Sequence, residues 1–161
     1  ILYNVPSRTG VDIAPSTYAA LADHPMIQAI KEASGNLSKV AETAHLVGDK
    51  LDIYSGNDDQ IVPIIACGGK GVISVLSDLL PGETSRMCHL ALEGNLAEAM
   101  ALQEKYLPLI NALFCEVNPV PVKTAMAELG KCAVDMRLPL CEMEDANKEK
   151  LINAMKALSI M

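Results

Sequence analysis

Three side chains near the start of the sequence have the chemistry needed to activate a carbonyl compound. Lys31 follows the short apolar segment 26–30 and precedes a Glu-Ala-Ser-Gly-Asn turn, while Tyr3 and Arg8 lie in and just after the apolar run 1–5. An amine nucleophile, a hydroxyl that transfers protons and a guanidinium fork for carboxylates would suit an enzyme that forms a Schiff base with a keto acid. Taken singly, each has a plainer interpretation: a structural or solvent-facing lysine, a packed tyrosine and a surface arginine.

The nucleophile hypothesis depends on the surroundings of the lysine. A lysine amine ordinarily has a pKa near 10.4, and attack on a carbonyl needs the neutral amine. Apolar surroundings or a neighbouring cation must therefore favour the neutral form. The apolar segment before Lys31 is consistent with such surroundings.

The elements that must position these residues alternate over the first half of the chain. Apolar runs typical of buried strands cover 2–5, 27–31, 51–55 and 71–75, and amphipathic stretches typical of helices cover 14–22, 37–47 and 59–67. Asn36 is the predicted cap of the second helix, and Asp58 or Asp59 that of the third. Strands that recur after single helices predict parallel βαβ units, in which functional groups gather at the carboxyl ends of the strands.

From about residue 81 the strand pattern stops. Helices are predicted at 85–93, 96–113, 120–129 and 145–158, with Pro108 as a kink in the second of them. We therefore divide the chain into residues 1–80, half of a β/α barrel, and residues 81–161, the last barrel helix and a helical extension.

A closed eight-stranded barrel takes about 250 residues, so a chain of 161 residues is expected to hold only half of one. Four parallel strands leave two unpaired sheet edges, which proteins usually cover or remove by closure. The sequence also begins with Ile1, inside a strand-like run. We expect either a partner or a longer protein to supply the remaining strands.

The composition excludes several function classes. A net charge of −7 argues against nucleic acid or an anionic membrane as a partner. No apolar stretch is long enough to span a membrane, and no secretory signal is visible. Five cysteines without a C-x-x-C pair indicate reduced thiols in the cytoplasm, and the three histidines share no ligand spacing with them, so no metal site is expected.

Two further motifs have structural interpretations that we favour. Residues 68–71 (GGKG) could cradle a phosphate, but they lack the P-loop spacing and are better explained as a helix-to-strand turn. Asp58 and Asp59 could be paired catalytic carboxylates, but helix capping explains them better.

Five segments then occur in a fixed order along the chain: residues 3–10 (YNVPSRTG), 30–36 (IKEASGN), 55–58 (SGND), 71–75 (GVISV) and 118–123 (NPVPVK). They resemble the dihydrodipicolinate synthase family, within the N-acetylneuraminate lyase superfamily of class I aldolases. The resemblance covers the carboxyl-terminal half of the family sequence. It implies strands five to eight of a (β/α)8 TIM barrel and a C-terminal helical extension.

The resemblance also implies a role for each candidate residue. Lys31 would form an imine with pyruvate, Tyr3 would relay protons, and Arg8 would bind the carboxylate of aspartate 4-semialdehyde. Gly56 and Ile73 would line the pyruvate pocket. The product would be 4-hydroxy-tetrahydrodipicolinate, the entry to diaminopimelate and lysine synthesis, and neither a metal nor an organic cofactor is implied.

Two alternatives stay open. N-acetylneuraminate lyases and 2-keto-3-deoxy sugar-acid aldolases share the lysine and the tyrosine, although Arg8 favours the synthase. The second alternative is a catalytically silent half-barrel that self-associates. The family forms dimers or tetramers, so we expect a homo-oligomer or pairing with an amino-terminal half. That half of the family carries a Thr-Thr pair and a second tyrosine that are not among these residues.

Overall fold

The computed structural model describes residues 1–161 and shows parallel strands separated by helices, followed by a purely helical part. In chain order the elements are β1 (Leu2–Asn4), α1 (Pro6–Thr9), α2 (Pro15–Leu21), β2 (Ala29–Glu32), α3 (Leu37–Val47), β3 (Asp52–Ser55), α4 (Ile61–Ala66), β4 (Gly71–Val72), α5 (Pro81–Leu92), α6 (Leu96–Leu113), α7 (Val120–Glu128) and α8 (Asp145–Ala157). Short 3₁₀ turns cover Gly48–Lys50, Asp58–Gln60 and Leu76–Asp78.

The four strands form one parallel sheet in the order β1-β2-β3-β4. Tyr3 lies opposite Lys31, and Lys31 lies opposite Tyr54. Sequential strands that pair as neighbours after helical crossovers are the arrangement of a β/α barrel, of which this sheet is an arc. The parallel α/β fold predicted from the alternation is confirmed.

Two strand ends differ from the prediction by one residue. β2 ends at Glu32, so Lys31 is its penultimate residue, and β1 ends at Asn4. The chain then enters α1, a short helix that the sequence pattern did not predict. Proline at the first helical position explains this, because its fixed φ suits a helix start and its missing N–H is not needed there.

The last strand is shorter than predicted. It stops at Val72, and residues 73–75 lead into the 3₁₀ turn Leu76–Asp78. The cause is Asp58, whose Oδ2 accepts hydrogen bonds from the backbone N–H groups of Val75 (2.9 Å) and Leu76 (2.8 Å). Asp58 therefore caps the turn after β4. The prediction that Asp58 or Asp59 caps the third helix was wrong, because no side chain caps α4 or the turn before it.

The other helix boundaries follow local rules. Asn36 caps α3 as predicted, since its side chain accepts from the N–H of Lys39. α5 begins at Pro81, four residues before the predicted start, again with proline at the first position. α6 continues through Pro108.

The interior consists of two apolar clusters. The smaller lies between the sheet and the helices α2, α3 and α4, and the larger joins α4 to α5–α8. The larger cluster crosses residue 80, so the end of the strand-bearing part is not a break in packing, and the division into two parts stays a prediction. All five cysteines are unpaired.

None of the helices combines the length and the apolar character needed to cross a membrane.

Candidate functional site

One cavity of about 150 Å³ lies at the carboxyl ends of the strands, where the helical part closes over the sheet. All five residues predicted to form the site line it: Tyr3, Arg8, Lys31, Gly56 and Ile73. The strand-end argument explains this convergence, because consecutive parallel strands deliver their last residues to one edge.

Lys31 and Tyr3 are direct neighbours across β1 and β2. The Lys31 Nζ lies 4.4 Å from the centroid of the Tyr3 ring. Lys31 is half-buried, whereas Tyr3 is 47 % exposed. The ring of Tyr3 lies beside the amine, and the phenol lies on the same side of the sheet as the nitrogen.

Gly56 leaves room for the lysine stem. A Cβ at this position would lie 2.7 Å from the Cβ of Ala33 and 3.2 Å from the Cε of Lys31. The N–H of Gly56 donates to the carbonyl of Glu32 at 2.7 Å, which holds the end of β3 against the end of β2. A side chain at position 56 would therefore displace the lysine.

Arg8 connects the strand ends to the helical part. Its Nη2 donates to the carbonyl oxygen of Asn118 at 3.2 Å, and the side chain is otherwise exposed. This contact joins α1 to the segment that opens α7.

Ile73 follows β4 and is 40 % exposed, although it lines the cavity. Its N–H donates to the carbonyl of Ser55 at 2.9 Å, which extends the pairing of β3 and β4 by one bond. The residue therefore lies at the strand edge of the cavity, as the prediction required.

Sequence reasoning missed the residues that the helical part contributes. Phe114, at the end of α6, and Asn118 line the cavity beside the strand ends. Phe114 is the only phenylalanine of the chain, and this was a signal that the sequence offered. Its side chain is 41 % exposed. The other lining residues are Val5, Ser7, Ala33, Asn57 and Val75.

The charge of the cavity favours an anionic ligand. Its lining contains the two cations Lys31 and Arg8 and no carboxylate, imidazole or thiol. Such a set suits a carboxylate ligand, which accepts hydrogen bonds from lysine and arginine. It suits a metal ion less well, because metal ions are bound by carboxylate, imidazole or thiolate groups.

A buried polar network lies behind the strand ends, and the sequence did not reveal it. Asn4 and Glu32 are 1 % and 3 % exposed, and the Asn4 amide donates to the Glu32 carboxylate at 2.9 Å and 3.1 Å. The same amide donates to Asp12, which also forms an ion pair with Lys39.

Two groups of this network have shifted pKa values. The Lys39 ammonium, and after it the Asn4 amide, holds the pKa of the Asp12 carboxyl below its usual range. Burial, together with the negative charge of Glu32, raises the pKa of the Tyr18 hydroxyl. Tyr18 therefore stays a hydrogen-bond donor at neutral pH.

The two motifs with structural interpretations lie outside this cavity. Residues 68–70 form the turn between α4 and β4, where the N–H of Lys70 donates to the carbonyl of Ile53 at 2.7 Å. Asp58 and Asp59 line a separate cavity of about 240 Å³.

Comparison with known proteins adds a family. The model of the dihydrodipicolinate synthetase family matches residues 1–158. The 4-hydroxy-tetrahydrodipicolinate synthase of Alkaliphilus oremlandii is 51 % identical over 161 residues, which is 100 % of this chain and 56 % of that protein. The synthase of Clostridium perfringens is 55 % identical over 157 residues, 98 % of this chain and 54 % of that protein.

Solved structures agree with the fold. The crystal structure of dihydrodipicolinate synthase from Thermotoga maritima aligns with a TM-score of 0.96 at 36 % identity, over 99 % of this chain and 55 % of that one. The chloride-inhibited synthase from Acinetobacter baumannii, complexed with pyruvate, aligns with a TM-score of 0.96 at 38 % identity, over 99 % of this chain and 55 % of that one. The chain thus spans about half the length of the relatives it matches.

Proposed function

Because the chain belongs to the dihydrodipicolinate synthetase family, we propose that it carries the Schiff-base half of a 4-hydroxy-tetrahydrodipicolinate synthase. The reaction condenses pyruvate with aspartate 4-semialdehyde and leads towards diaminopimelate and lysine. The observation that carries the proposal is the convergence of Lys31, Tyr3 and Arg8 on one cavity at the strand ends.

In the proposed first step, the neutral amine of Lys31 adds to the keto carbon of pyruvate, and loss of one water gives the imine. The hydroxyl of Tyr3 supplies and removes the protons of this addition and dehydration. The Lys31 nitrogen lies 4.4 Å from the centroid of the Tyr3 ring, so the two side chains are neighbours in the cavity. The pyruvate in the related structure from Acinetobacter baumannii supports the choice of keto acid.

In the second step, the Tyr3 oxygen removes a methyl proton from the imine, and the carbon of the resulting enamine attacks the aldehyde carbon of the semialdehyde, whose oxygen takes up that proton. The amino group of the semialdehyde then adds to the imine carbon and displaces the Lys31 amine, which closes the ring and frees the lysine. Arg8 holds the carboxylate of that second substrate. The hydrogen bond from Nη2 to Asn118 fixes one side of the guanidinium and leaves other N–H groups for a bidentate pair. Gly56 and Ile73 shape the wall around pyruvate.

The remaining properties belong to the same proposal. Catalysis uses the covalent imine on Lys31 and no organic cofactor or metal. The protein works in the cytoplasm, which its five unpaired thiols support. It assembles as a homo-oligomer or pairs with an amino-terminal half, which the two free edges of its sheet support.

Borohydride reduction in the presence of pyruvate tests the proposal. We expect a stable adduct on the peptide that contains Lys31, detected by mass spectrometry. Lys31→Met should abolish the adduct, whereas Lys70→Met, which removes an exposed lysine at the amino end of β4, should retain it. Folded wild-type protein without an adduct would contradict the proposal and favour the catalytically silent half-barrel.

Substitution of Arg8 separates the synthase from the sugar-acid aldolases. Arg8→Ala should leave pyruvate trapping intact and lower kcat/KM for aspartate semialdehyde by about tenfold to a hundredfold, the loss expected for a hydrogen bond to a charged group. The measurement compares the turnover of the semialdehyde with that of N-acetylneuraminate. Unchanged semialdehyde kinetics would show that the role given to Arg8 is wrong.

A further inference from the structure

The polar network behind the cavity is built on a cross-strand pair. In the register of β1 and β2, Asn4 lies opposite Glu32, one residue beyond the pair of Tyr3 and Lys31. Successive side chains of a strand point to opposite faces of the sheet. The Asn4–Glu32 pair therefore occupies the helix-covered face, directly behind the two residues that line the cavity.

The pair satisfies nearly all of its hydrogen-bonding groups. The Asn4 Nδ2 donates to Asp12 (2.8 Å) as well as to Glu32, and its Oδ1 accepts from the N–H of Ile13 (3.0 Å). The Glu32 Oε1 also accepts from the N–H of Ser34 at 2.7 Å. Through these contacts the pair ties both strand ends to the loops that follow them.

The rest of the network holds the pair from outside. Lys39, which is 8 % exposed, forms an ion pair with Asp12. The hydroxyl of Tyr18, which is fully buried, lies 3.5 Å from the Glu32 Oε2. α2 and α3 thus both contribute to the support of the strand ends.

The polar network bears on the register between β1 and β2. β1 and β2 are joined over only three residue pairs. A slip of β1 by one residue against β2 would turn Tyr3 to the face of the sheet opposite Lys31. Burial of apolar side chains also opposes such a slip, but β1 carries only Leu2 beside Asn4 on the covered face. The buried amide–carboxylate pair adds fixed donors and acceptors, and a group left without its partner is costly.

We propose that Asn4 and Glu32 are positioning residues that hold Lys31 and Tyr3 in register and aim both into the cavity. The kinetic consequence of this proposal rests on the proposed function, but its geometric consequence does not.

The first test uses Asn4→Leu, which keeps the number and branching of the side-chain heavy atoms and removes the amide. At saturating pyruvate, the rate constant of borohydride-trapped adduct formation should fall by about tenfold or more, since misplaced reacting groups lose rate steeply. The pyruvate concentration at half-maximal rate should stay within about twofold of that of the wild type, since the cavity cations are unchanged. Rates are taken from the folded fraction, which the adduct amplitude measures.

A second variant and a control separate position from stability. Glu32→Gln keeps the shape but places an amide donor against the Asn4 or Ser34 donors, so a smaller loss of about threefold is expected. If Asn4→Leu does not fold, Glu32→Gln alone tests the proposal. Leu151→Ala, in the larger cluster, should lower stability yet keep the rate constant of its folded fraction.

A nuclear Overhauser effect between the Tyr3 ring protons and the Lys31 ε-methylene measures whether the two side chains are close, independently of any reaction with pyruvate. We expect it in the wild type and in Leu151→Ala and expect it to weaken in both network variants. Folded network variants that keep this contact and trap pyruvate at the wild-type rate overturn the proposal. If the wild type forms no adduct, the proposed function fails, and the Overhauser contact alone decides whether Asn4 and Glu32 position the pair.

Discussion

Gly56 shows how one residue type is dictated by its neighbours. Its backbone does not require the left-handed region, so its conformational freedom is not the reason for glycine here. The reason is space, because a Cβ would lie 2.7 Å from Ala33 and 3.2 Å from the Lys31 stem. Real Cβ atoms do not approach each other so closely, and something must move.

We therefore expect Gly56→Ala to lower the free energy of unfolding by about 1–3 kcal/mol. It should also slow pyruvate trapping at Lys31 by about tenfold, because the amine is displaced from its position beside Tyr3. Urea unfolding and borohydride trapping measure the two effects.

Gly82→Ala is the matched control. Position 82 lies in the first turn of α5 and has open space around the added Cβ. Alanine favours a helix over glycine by up to about 1 kcal/mol, so this variant should be neutral or more stable and should trap pyruvate normally. Equal behaviour of the two variants would contradict the steric account of Gly56.

Asp58 is a buried carboxyl whose charge state depends on its surroundings. It is 2 % exposed. Burial raises the pKa of the Asp58 carboxyl, although the Ser74 side chain and the N–H groups of Leu76 and Val75 act in the opposite direction. The folded state thus binds this proton more tightly than the unfolded state does.

The sign of the pH effect follows from this shift. The stabilising contribution of Asp58 is complete below the pKa of an unfolded aspartate, about 3.9, and is lost as pH rises through the higher folded pKa. Asp58→Asn keeps an oxygen for both N–H groups and does not titrate. Its free energy of unfolding, relative to wild type, should therefore increase from about pH 4 upward in urea titrations; a pH-independent difference would contradict the shift.

At the scale of elements, α3 links β2, the strand that carries Lys31, to the packing of the helix layer. It begins six residues after Lys31, and the Asn36 Oδ1 accepts from the N–H of Lys39 at 3.1 Å. The same helix delivers the Lys39 side chain to the network behind the strands. The start of α3 therefore fixes both the turn after β2 and the outer end of that network.

Asn36→Ala should cost about 1 kcal/mol of unfolding free energy, as loss of a helix N-cap does. Asn95→Ala is the control, because Asn95 precedes α6 but makes no side-chain cap hydrogen bond. Its cost should stay below about 0.5 kcal/mol. Chemical denaturation of both variants compares them, and equal costs would show that the cap bond contributes nothing.

The elements themselves were largely predictable, and the misses have local causes. α3 and α6 begin and end where their periodicity and caps place them. β4 was predicted three residues too long because its truncation depends on Asp58, thirteen residues before the strand begins. A capping bond between distant segments leaves no mark on the local pattern of either.

At the scale of the whole chain, the four strands form an arc of sheet with two edges. β1 and β4 each pair on one side only, so both present unpaired backbone groups. Ile1, at the start of the β1 edge, is 70 % exposed. Exposed edges of this kind pair readily with other strands.

We therefore expect the chain to self-associate, with sedimentation velocity showing species heavier than one chain at micromolar concentration. Ile1→Lys should shift the distribution towards the monomer, because charge on an edge strand opposes edge pairing. Leu138→Lys is the control, since Leu138 is 91 % exposed in the helical part, away from either edge. A wild-type chain that stays monomeric at all concentrations would contradict the edge argument.

The sequence by itself determined the parallel α/β fold, the half-barrel and the five residues that share one cavity. It could do so because alternation, strand-end position and motif order are all properties of neighbouring residues. Only the tertiary structure showed that Phe114 and Asn118 close that cavity and that Asn4 and Glu32 form a buried pair behind it. Those contacts join residues that are 28 or more positions apart, and the register that brings them together exists only once the strands have paired.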